Sequence, residues 1–321
     1  MAADLEINPD DLMKAHQFMK DRCLLSPLIP LGDDREEAGI FLKLENIQRS
    51  GSFKIRAAMW ALEQYRDKID SKGVWTASAG NMGSALAYAA YKASIPCTVI
   101  VPSDAPQVKL NKIQSYRAKL IKVPFKDYQQ IQVEGYYSGM DGLFIHPFAD
   151  YAVVTANATI GIEITEELEN ITEVYLPYGG GGLICGVAQA LKQNRIPAEI
   201  VACELETASP LTQSISVGKP IVTEYKASFV SGIGAPFVFP QMWRWSKEFV
   251  SRTAVVSLQD VVDAIRKLVY QCHVIAEGAG AVSLAAALKY HYAGKKAVCL
   301  ITGGNINPEH LQTILDGNVP I

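Results

Sequence analysis

The sequence is poor in the features that mark nucleic-acid-binding, secreted and membrane proteins. No Lys/Arg-rich run occurs, and 30 basic against 33 acidic residues give a formal net charge of −3. The sequence therefore offers no positively charged surface of the kind that binds nucleic acid. No run of about eighteen apolar residues offers a membrane span. Residues 1–6 are acidic and lack the basic and apolar regions of a signal peptide. We therefore expect a cytoplasmic protein that binds neither nucleic acid nor a membrane.

Paired cysteines are also missing. The six cysteines are scattered through apolar surroundings without a CxxC pair. That pattern favours reduced, packed thiols over a disulfide framework or a zinc site.

The chain has instead the size and composition of an ordinary globular protein. Its 321 residues, 49% hydrophobic and 20% charged, predict one large or two moderate domains rather than disorder. Apolar segments that read as strands alternate with helical segments, so we expect mainly parallel sheets with helices on both faces. The predicted strands cover residues 39–45, 74–77, 97–102, 120–123, 173–177, 199–203 and 296–301. A boundary between two units is expected near residues 141–150.

A lysine stands where the first of these strands leads into a helix. The segment Gly51-Ser52-Phe53-Lys54-Ile55-Arg56 places Lys54 near a helix N-terminus at the end of a strand, where open α/β folds keep their ligands. A desolvated lysine loses its proton readily and can form a Schiff base with a carbonyl. The alternative is that Lys54 caps the strand and its ammonium group reaches solvent.

Two turns rich in small residues also follow predicted strands. Ser78-Ala79-Gly80-Asn81 follows residues 74–77, and four consecutive glycines (179–182) follow residues 173–177. Consecutive glycines are entropically costly and need a steric reason, such as close approach of backbone amides to a phosphate at a helix N-terminus. The spacing of these four glycines matches neither the dinucleotide-binding pattern G-x-G-x-x-G nor the phosphate-binding loop pattern G-x-x-x-x-G-K-[ST]. A flexible linker and a simple helix cap at Asn81 are the alternatives.

These features together suit pyridoxal phosphate: a lysine able to form a Schiff base, a glycine turn able to bind a phosphate, and polar residues at the ends of strands. On these residues the sequence resembles the fold-type II pyridoxal phosphate enzymes, in particular the serine/threonine dehydratase family. The resemblance runs roughly from Cys23 to Leu315. It is carried, in the family's order, by Lys43-Leu44-Glu45-Asn46, Gly51-Ser52-Phe53-Lys54, Ser78-Ala79-Gly80-Asn81, Gly179–Gly182, Glu277-Gly278-Ala279-Gly280 and Thr302-Gly303-Gly304-Asn305.

The resemblance implies a role for each site residue. Lys54 would bind pyridoxal 5′-phosphate covalently, with Phe53 packed against the ring and Asn81 on its 3′-oxygen. Thr302 would contact the pyridine nitrogen, and Gly232 and Glu277 would lie near the ring. The phosphate would be held by the backbone amides of Gly179, Gly180, Gly181 and Gly182. The carboxylate of a small amino-acid substrate would be received by Ser78, Ala79, Gly80 and Asn81.

The same resemblance implies fold, assembly and activity. The expected fold has two open, twisted, mainly parallel sheets flanked by helices, with the cofactor in the cleft between a large domain (residues 1–72 and 150–321) and a small domain (residues 73–149). A homodimer is expected. The expected reaction converts L-threonine or L-serine to 2-oxobutanoate or pyruvate plus ammonia by α,β-elimination. The alternatives are a dehydratase of another β-hydroxy amino acid (phenylserine or hydroxyaspartate), a β-replacement synthase, a serine racemase-like enzyme, and a non-catalytic relative that binds the cofactor or amino acids.

Some positions depart from the family pattern. Ala79 stands where serine racemases carry a serine that exchanges a proton, so efficient racemisation is not expected. Met82 replaces a common histidine and Ser231 a common aspartate. Glu204 and Ala208 fit a divalent or monovalent cation site of some relatives, but Pro210 stands where a carboxylate ligand is expected.

Overall fold

The computed structural model describes residues 4–32 and 39–321 and builds them from alternating strands and helices. Residues 1–3 and 33–38, which belong to the predicted large domain, lie outside the described residues. The strands are β1 (Leu28–Pro30), β2 (Ile40–Lys43), β3 (Val74–Ala77), β4 (Cys97–Pro102), β5 (Lys119–Val123), β6 (Leu143–Phe144), β7 (Glu173–Pro177), β8 (Glu199–Leu205), β9 (Arg252–Val256) and β10 (Ala297–Leu300). The helices are α1 (Pro9–Arg22), α2 (Lys54–Gln64), α3 (Asn81–Ala93), α4 (Gln107–Ser115), α5 (Phe125–Glu134), α6 (Tyr151–Glu167), α7 (Gly182–Gln193), α8 (Pro210–Val217), α9 (Pro240–Phe249), α10 (Leu258–Cys272), α11 (Gly278–Tyr290) and α12 (Pro308–Leu315).

The strands form two sheets, which confirms the predicted fold class. One sheet has the order β1-β2-β10-β7-β8-β9 and the other the order β5-β4-β3-β6. Every pair is parallel except β1 with β2. Parallel strands need crossover connections, and here these are mostly helices that cover the sheet faces.

Each sheet is covered by helices on both faces. In the six-stranded sheet, side chains alternate along a strand: Leu42 and Tyr175 pack toward α10 and α11, whereas Phe41 and Val174 pack toward α6 and α7. The four-stranded sheet packs one face on α2, α3 and α4 and the other on α5. Strands inside the sheets, such as β3 and β7, are therefore apolar on both sides, which is why they read as continuous apolar runs in the sequence.

The division into a large and a small domain stays a prediction. It is compatible with the sheet composition, because all four strands of the smaller sheet lie between residues 74 and 144. The segment expected to form a boundary, residues 141–150, contributes β6, a two-residue strand paired with β3.

Helix ends follow local sequence signals. The Asn8 side chain accepts a hydrogen bond from the Asp10 amide and Pro9 is the first residue of α1, the usual signals of a helix start. Helix α10 begins with a capping box of Ser257 and Asp260. Among the described residues, none of the helices combines the length and the apolar character needed to cross a bilayer.

Candidate active site

A cavity of about 380 Å³ opens where strands of both sheets end. It is bordered by the segments that follow β3, β4, β7 and β10, which are the carboxyl ends of parallel strands, the usual place for a ligand in such folds. The structure brings all the predicted cofactor and substrate residues to this cavity: Phe53, Lys54, Ser78, Ala79, Gly80, Asn81, Gly179, Gly180, Gly181, Gly182, Gly232, Glu277 and Thr302.

Lys54 is the first residue of α2, and its amine is held inside the cavity. Lys54 Nζ donates a hydrogen bond to the carbonyl oxygen of Pro147 at 2.6 Å and lies 5.0 Å from the centre of the Phe53 ring. Burial lowers the pKa of Lys54 to about 8. A substantial fraction of the amine is therefore neutral near physiological pH, which is the form that attacks a carbonyl.

The segment before Lys54 is bound to the end of β10. The Phe53 amide donates to the Thr302 carbonyl oxygen at 3.0 Å, and the Gly304 amide donates to the Gly51 carbonyl oxygen at 2.9 Å. This pairing places the buried Thr302 beside Phe53 in the cavity wall. The Thr302 hydroxyl donates to the Ala279 carbonyl oxygen at 3.3 Å.

The glycine turn between β7 and α7 owes its glycines mainly to packing. A Cβ on Gly180 would lie 2.2 Å from the Phe148 ring, and one on Gly182 would lie 2.3 Å from the Phe148 carbonyl oxygen. Gly181 has φ +85°, which disfavours other residues. The result is still a turn of bare backbone at the start of α7, whose first amides have no acceptor within the helix. Such amides suit a phosphate.

The turn after β3 holds a second set of helix-terminal amides. The Gly80 amide donates to the Ser78 hydroxyl at 3.3 Å, and a Cβ on Gly83 would lie 1.9 Å from the Ser78 carbonyl oxygen, so only glycine fits behind the turn. Helix α3 begins at Asn81. Its positive end and free amides favour a carboxylate at this turn.

Asn81 belongs to a polar chain that sequence reasoning did not assemble. Its Nδ2 donates to Glu277 Oε1 at 2.5 Å, and its Oδ1 accepts from Asn305 Nδ2 at 2.7 Å. Burial raises the pKa of Glu277 to about 7, and the Asn81 hydrogen bond and the charges of Lys109 and Lys112 oppose that rise. These contacts orient the Asn81 amide toward the cavity.

A buried ion cluster supports the start of α2. Arg56, two residues after Lys54, has no exposed surface and binds Glu45 through Nε at 2.8 Å and Nη2 at 2.7 Å. Its Nη2 also donates to Glu163 Oε2 at 2.9 Å, and Glu163 is paired with Lys43 at 3.0 Å. Residues 43–46 and 51–56, two segments that carry the resemblance to the dehydratase family, therefore contact each other here. The ion cluster also holds α2 against α6.

His146 precedes Pro147, whose carbonyl oxygen accepts the hydrogen bond from Lys54, and its own contacts are structural. Its Nδ1 accepts from the Ala149 amide at 3.0 Å and its Nε2 faces the Gln132 carbonyl oxygen at 2.8 Å. Burial lowers its pKa to about 4, and the Lys54 charge adds to that effect. A neutral His146 therefore holds the Pro147 turn that receives the Lys54 amine.

The cavity wall also contains polar side chains that were not predicted as site residues, among them Lys109, Tyr128 and Gln132. Lys109 Nζ donates to the Ser231 hydroxyl at 2.6 Å. Tyr128 and Gln132 lie on α5, a helix that the apolar pattern of the sequence did not reveal. Their spacing of four residues on one helix face is the one signal the sequence offered for them.

The predicted cation site at Glu204 and Ala208 gains no support from the geometry. Glu204 accepts hydrogen bonds from the Leu211 and Thr212 amides at 2.8 Å each, so it acts as a cap for α8. In the part of the chain that the structure describes, no group of three or more His, Cys, Asp or Glu side chains is placed to hold a metal ion. The cation stays a prediction.

A two-sheet α/β fold with a lysine amine and a glycine turn in the wall of one cavity defines a class of enzyme that binds a carbonyl-bearing phosphate. A family model described as "Pyridoxal-phosphate dependent enzyme" matches residues 23–303. The chain belongs to this family, and its cofactor is pyridoxal phosphate.

Curated relatives and solved structures narrow the class further. The chain is 34% identical over 284 residues to an L-threonine ammonia-lyase of Thermotoga maritima, covering 86% of this chain and 70% of that protein. It is 30% identical to a beta-hydroxyaspartate dehydratase of Paracoccus denitrificans, and the match covers 94% of this chain and 97% of that protein. The structure of maize serine racemase superposes with a TM-score of 0.83 at 27% identity, and the match covers 98% of this chain and 97% of that one. The chain is accordingly an enzyme of the lyase type.

The residues present fit pyridoxal phosphate. A lysine amine inside the cavity with a lowered pKa suits the aldehyde, and side-chain-free backbone at a helix start suits the phosphate. A hydroxyl rather than a carboxylate, that of Thr302, lies at the end of β10. The role of each residue toward the cofactor, including Asn81 and Glu277 at its edge, stays a prediction.

Proposed function

We propose that this enzyme is a dehydratase that converts L-threonine or L-serine to a 2-oxo acid and ammonia by α,β-elimination. One observation carries the proposal. The Lys54 amine, with its lowered pKa, shares a cavity with the bare amides of the glycine turn and with a second amide-rich turn at Ser78–Asn81. This arrangement provides separate places for a phosphate, a carboxylate and a reacting carbon. The relative named L-threonine ammonia-lyase supports the same reaction.

The chemistry divides between cofactor and chain. Pyridoxal phosphate supplies an aldehyde for the substrate amine and a ring that stabilises negative charge at Cα. With the cofactor bound, Lys54 Nζ would remove the proton from Cα and would return it to the β-hydroxyl, which leaves as water. The Ser78–Asn81 turn holds the carboxylate so that the Cα–H bond faces the lysine. The Thr302 hydroxyl would face the ring nitrogen and, unlike a carboxylate, would not strongly favour its protonation, so prompt loss of the β-substituent would compete with other outcomes.

Racemisation is disfavoured by the residue at position 79. Moving a proton between the two faces of Cα requires an acid or base on each face. Ala79 has no exchangeable proton, and the turn that carries it is held by the Ser78–Gly80 contact. The similarity to a serine racemase structure therefore reports the fold more than the reaction.

A second candidate substrate class is the β-hydroxy dicarboxylic amino acids. Lys109 Nζ lies in the cavity wall, where it could pair with a second carboxylate. A relative named beta-hydroxyaspartate dehydratase, with 30% identity, favours the same class. Phenylserine stays an alternative on the strength of the aromatic side chains Phe125, Tyr128 and Phe148 in the cavity wall.

The test is a substrate panel with a lysine control. Purified protein is mixed with threonine, serine, hydroxyaspartate and phenylserine, and 2-oxo acid and ammonia are followed. We expect release from threonine or serine, the absorbance of lysine-bound cofactor at the violet edge of the visible range, and loss of both in Lys54→Ala. A coloured protein that releases no product from any of these substrates would contradict the dehydratase proposal. Turnover that survives Lys54→Ala would contradict the role of the lysine.

The assembly and location are proposals of the same kind. We propose a homodimer, supported by exposed apolar side chains on neighbouring segments, Leu24, Leu25, Ile47 and Ile275. Analytical ultracentrifugation of the holoenzyme tests it. A cytoplasmic location, the large and small domains, and a cation at Glu204 and Ala208 are likewise proposals.

A further inference from the structure

Tyr128 has a hydroxyl that the reaction described above does not use. The residue lies on α5 and is half-buried, and its side chain lines the cavity. Helix α5 packs on the four-stranded sheet next to the end of β3. The phenol therefore reaches the Ser78–Asn81 turn, where the substrate carboxylate is expected.

The neighbouring glutamine determines which hydrogen bond the phenol makes. Gln132 Nε2 donates to the Ala77 carbonyl oxygen at 3.0 Å, and a carbonyl oxygen can only accept. The amide nitrogen, not the amide oxygen, must therefore face this position. The same nitrogen lies 3.0 Å from the Tyr128 oxygen, so Gln132 donates and Tyr128 accepts.

The proton of Tyr128 is left without a protein acceptor. In residues 4–32 and 39–321, the phenol makes no hydrogen bond as a donor, and its one side-chain partner, Gln132, donates to it. Burial raises the pKa of Tyr128 to about 12, while the Ala79 amide and Gln132 oppose that rise by hydrogen bonding. The phenol is thus protonated throughout the physiological range. Its oxygen lies beside Ala79, in the turn that is expected to receive the carboxylate.

We propose that Tyr128 binds the α-carboxylate of the substrate by donating its hydroxyl proton to it. The proposal rests on the proposed function only in taking an amino acid as the ligand. It adds a side-chain donor to the backbone amides of the Ser78–Asn81 turn, and Gln132 acts as the positioning residue that turns the phenol proton toward the cavity. The competing arrangement is a hydrogen bond from Tyr128 to the β-hydroxyl of the substrate.

The test compares Tyr128→Phe with the wild type in a binding measurement. Each holoenzyme is titrated with L-alanine, which has an α-carboxylate but no β-hydroxyl, and the absorbance of the cofactor reports binding. A hydrogen bond to a charged group predicts that Kd rises about ten- to a hundredfold in Tyr128→Phe. The matched control is Tyr136→Phe, which removes a hydroxyl from an exposed side chain just beyond α5. The control should bind L-alanine as the wild type does.

Two outcomes overturn the proposal. Unchanged affinity for L-alanine shows that Tyr128 does not bind the carboxylate. If that result comes with weaker binding of L-serine, the phenol contacts the β-hydroxyl instead. Because L-alanine binding needs no turnover, the test stays informative even if no β-hydroxy amino acid is a substrate. Thermal unfolding of cofactor-free Tyr128→Phe checks that the ring still packs. If this variant melts more than a few degrees below the wild type, Gln132→Leu is tested in its place. We expect the same rise in Kd for L-alanine in that variant.

Discussion

Replacing Arg56 by methionine should destabilise the protein strongly, because it leaves two carboxylates buried without their cation. Arg56 contacts Glu45 at 2.7 and 2.8 Å and Glu163 at 2.9 Å, and all three side chains are buried. After the change, Glu163 keeps Lys43 at 3.0 Å, whereas Glu45 keeps neutral hydrogen-bond partners such as the Ser26 hydroxyl and only the weaker influence of the Lys43 charge. Removing one member of a buried ion pair costs about 3–5 kcal/mol, and we expect that loss in the free energy of unfolding.

The loss should depend on pH in a defined direction. Burial raises the pKa of Glu45, but the charge and hydrogen bonds of Arg56 outweigh burial and hold it below its ordinary value. In the wild type, the stability from this ionised carboxyl is therefore present above about pH 4.3 and is lost as pH falls through the folded-state pKa. Without Arg56, burial dominates and the carboxyl is more stable protonated. The difference between the two proteins should thus be larger at pH 8 than at pH 5.

Urea unfolding of the cofactor-free proteins at both pH values measures this difference. The control is Arg66→Met, because the Arg66 side chain is 71% exposed and its ion pair with Glu63 is a surface pair worth less than about 1 kcal/mol. A loss in Arg56→Met no greater than in the control, or a difference that does not shrink at pH 5, would refute this account of the cluster.

Two further predictions concern the glycine turn of the cavity wall and the buried His146. Gly180→Ala puts a methyl group 2.2 Å from the Phe148 ring, so it should lower the free energy of unfolding of the cofactor-free protein by about 1–3 kcal/mol. Gly179→Ala, where the nearest atom is 3.4 Å away, should be tolerated, and equal losses would show that packing on Phe148 is not the reason for the glycine. Burial lowers the pKa of His146 to about 4, so between pH 6.5 and 4 the unfolded state binds the proton first and the wild type should lose about 3 kcal/mol. His146→Asn retains an acceptor for the Ala149 amide and should flatten that part of the pH–stability curve; an unchanged slope contradicts the assignment.

The sequence by itself determined much of the architecture. Strands predicted at residues 74–77, 97–102 and 173–177 have those bounds in the structure. They are buried on both faces and bounded by turn residues, so composition along a few residues is enough to find them. The sequence did not predict short or half-exposed elements, such as the two-residue β6 and helix α5, which has mostly polar residues.

The site divides in the same way. The lysine and the two small-residue turns were readable because each is a local pattern at a strand end. Tertiary structure alone decided what those patterns contact: Asn81 meets Glu277, 196 residues away, and Gly180 is required by Phe148 rather than directly by a phosphate. Only the folded chain places Gln132 between Ala77 and Tyr128 and so directs the phenol proton. Spacing along a chain reports which residues share a helix face or a strand, but hydrogen-bond partners are chosen by the packing of segments that lie far apart in the sequence.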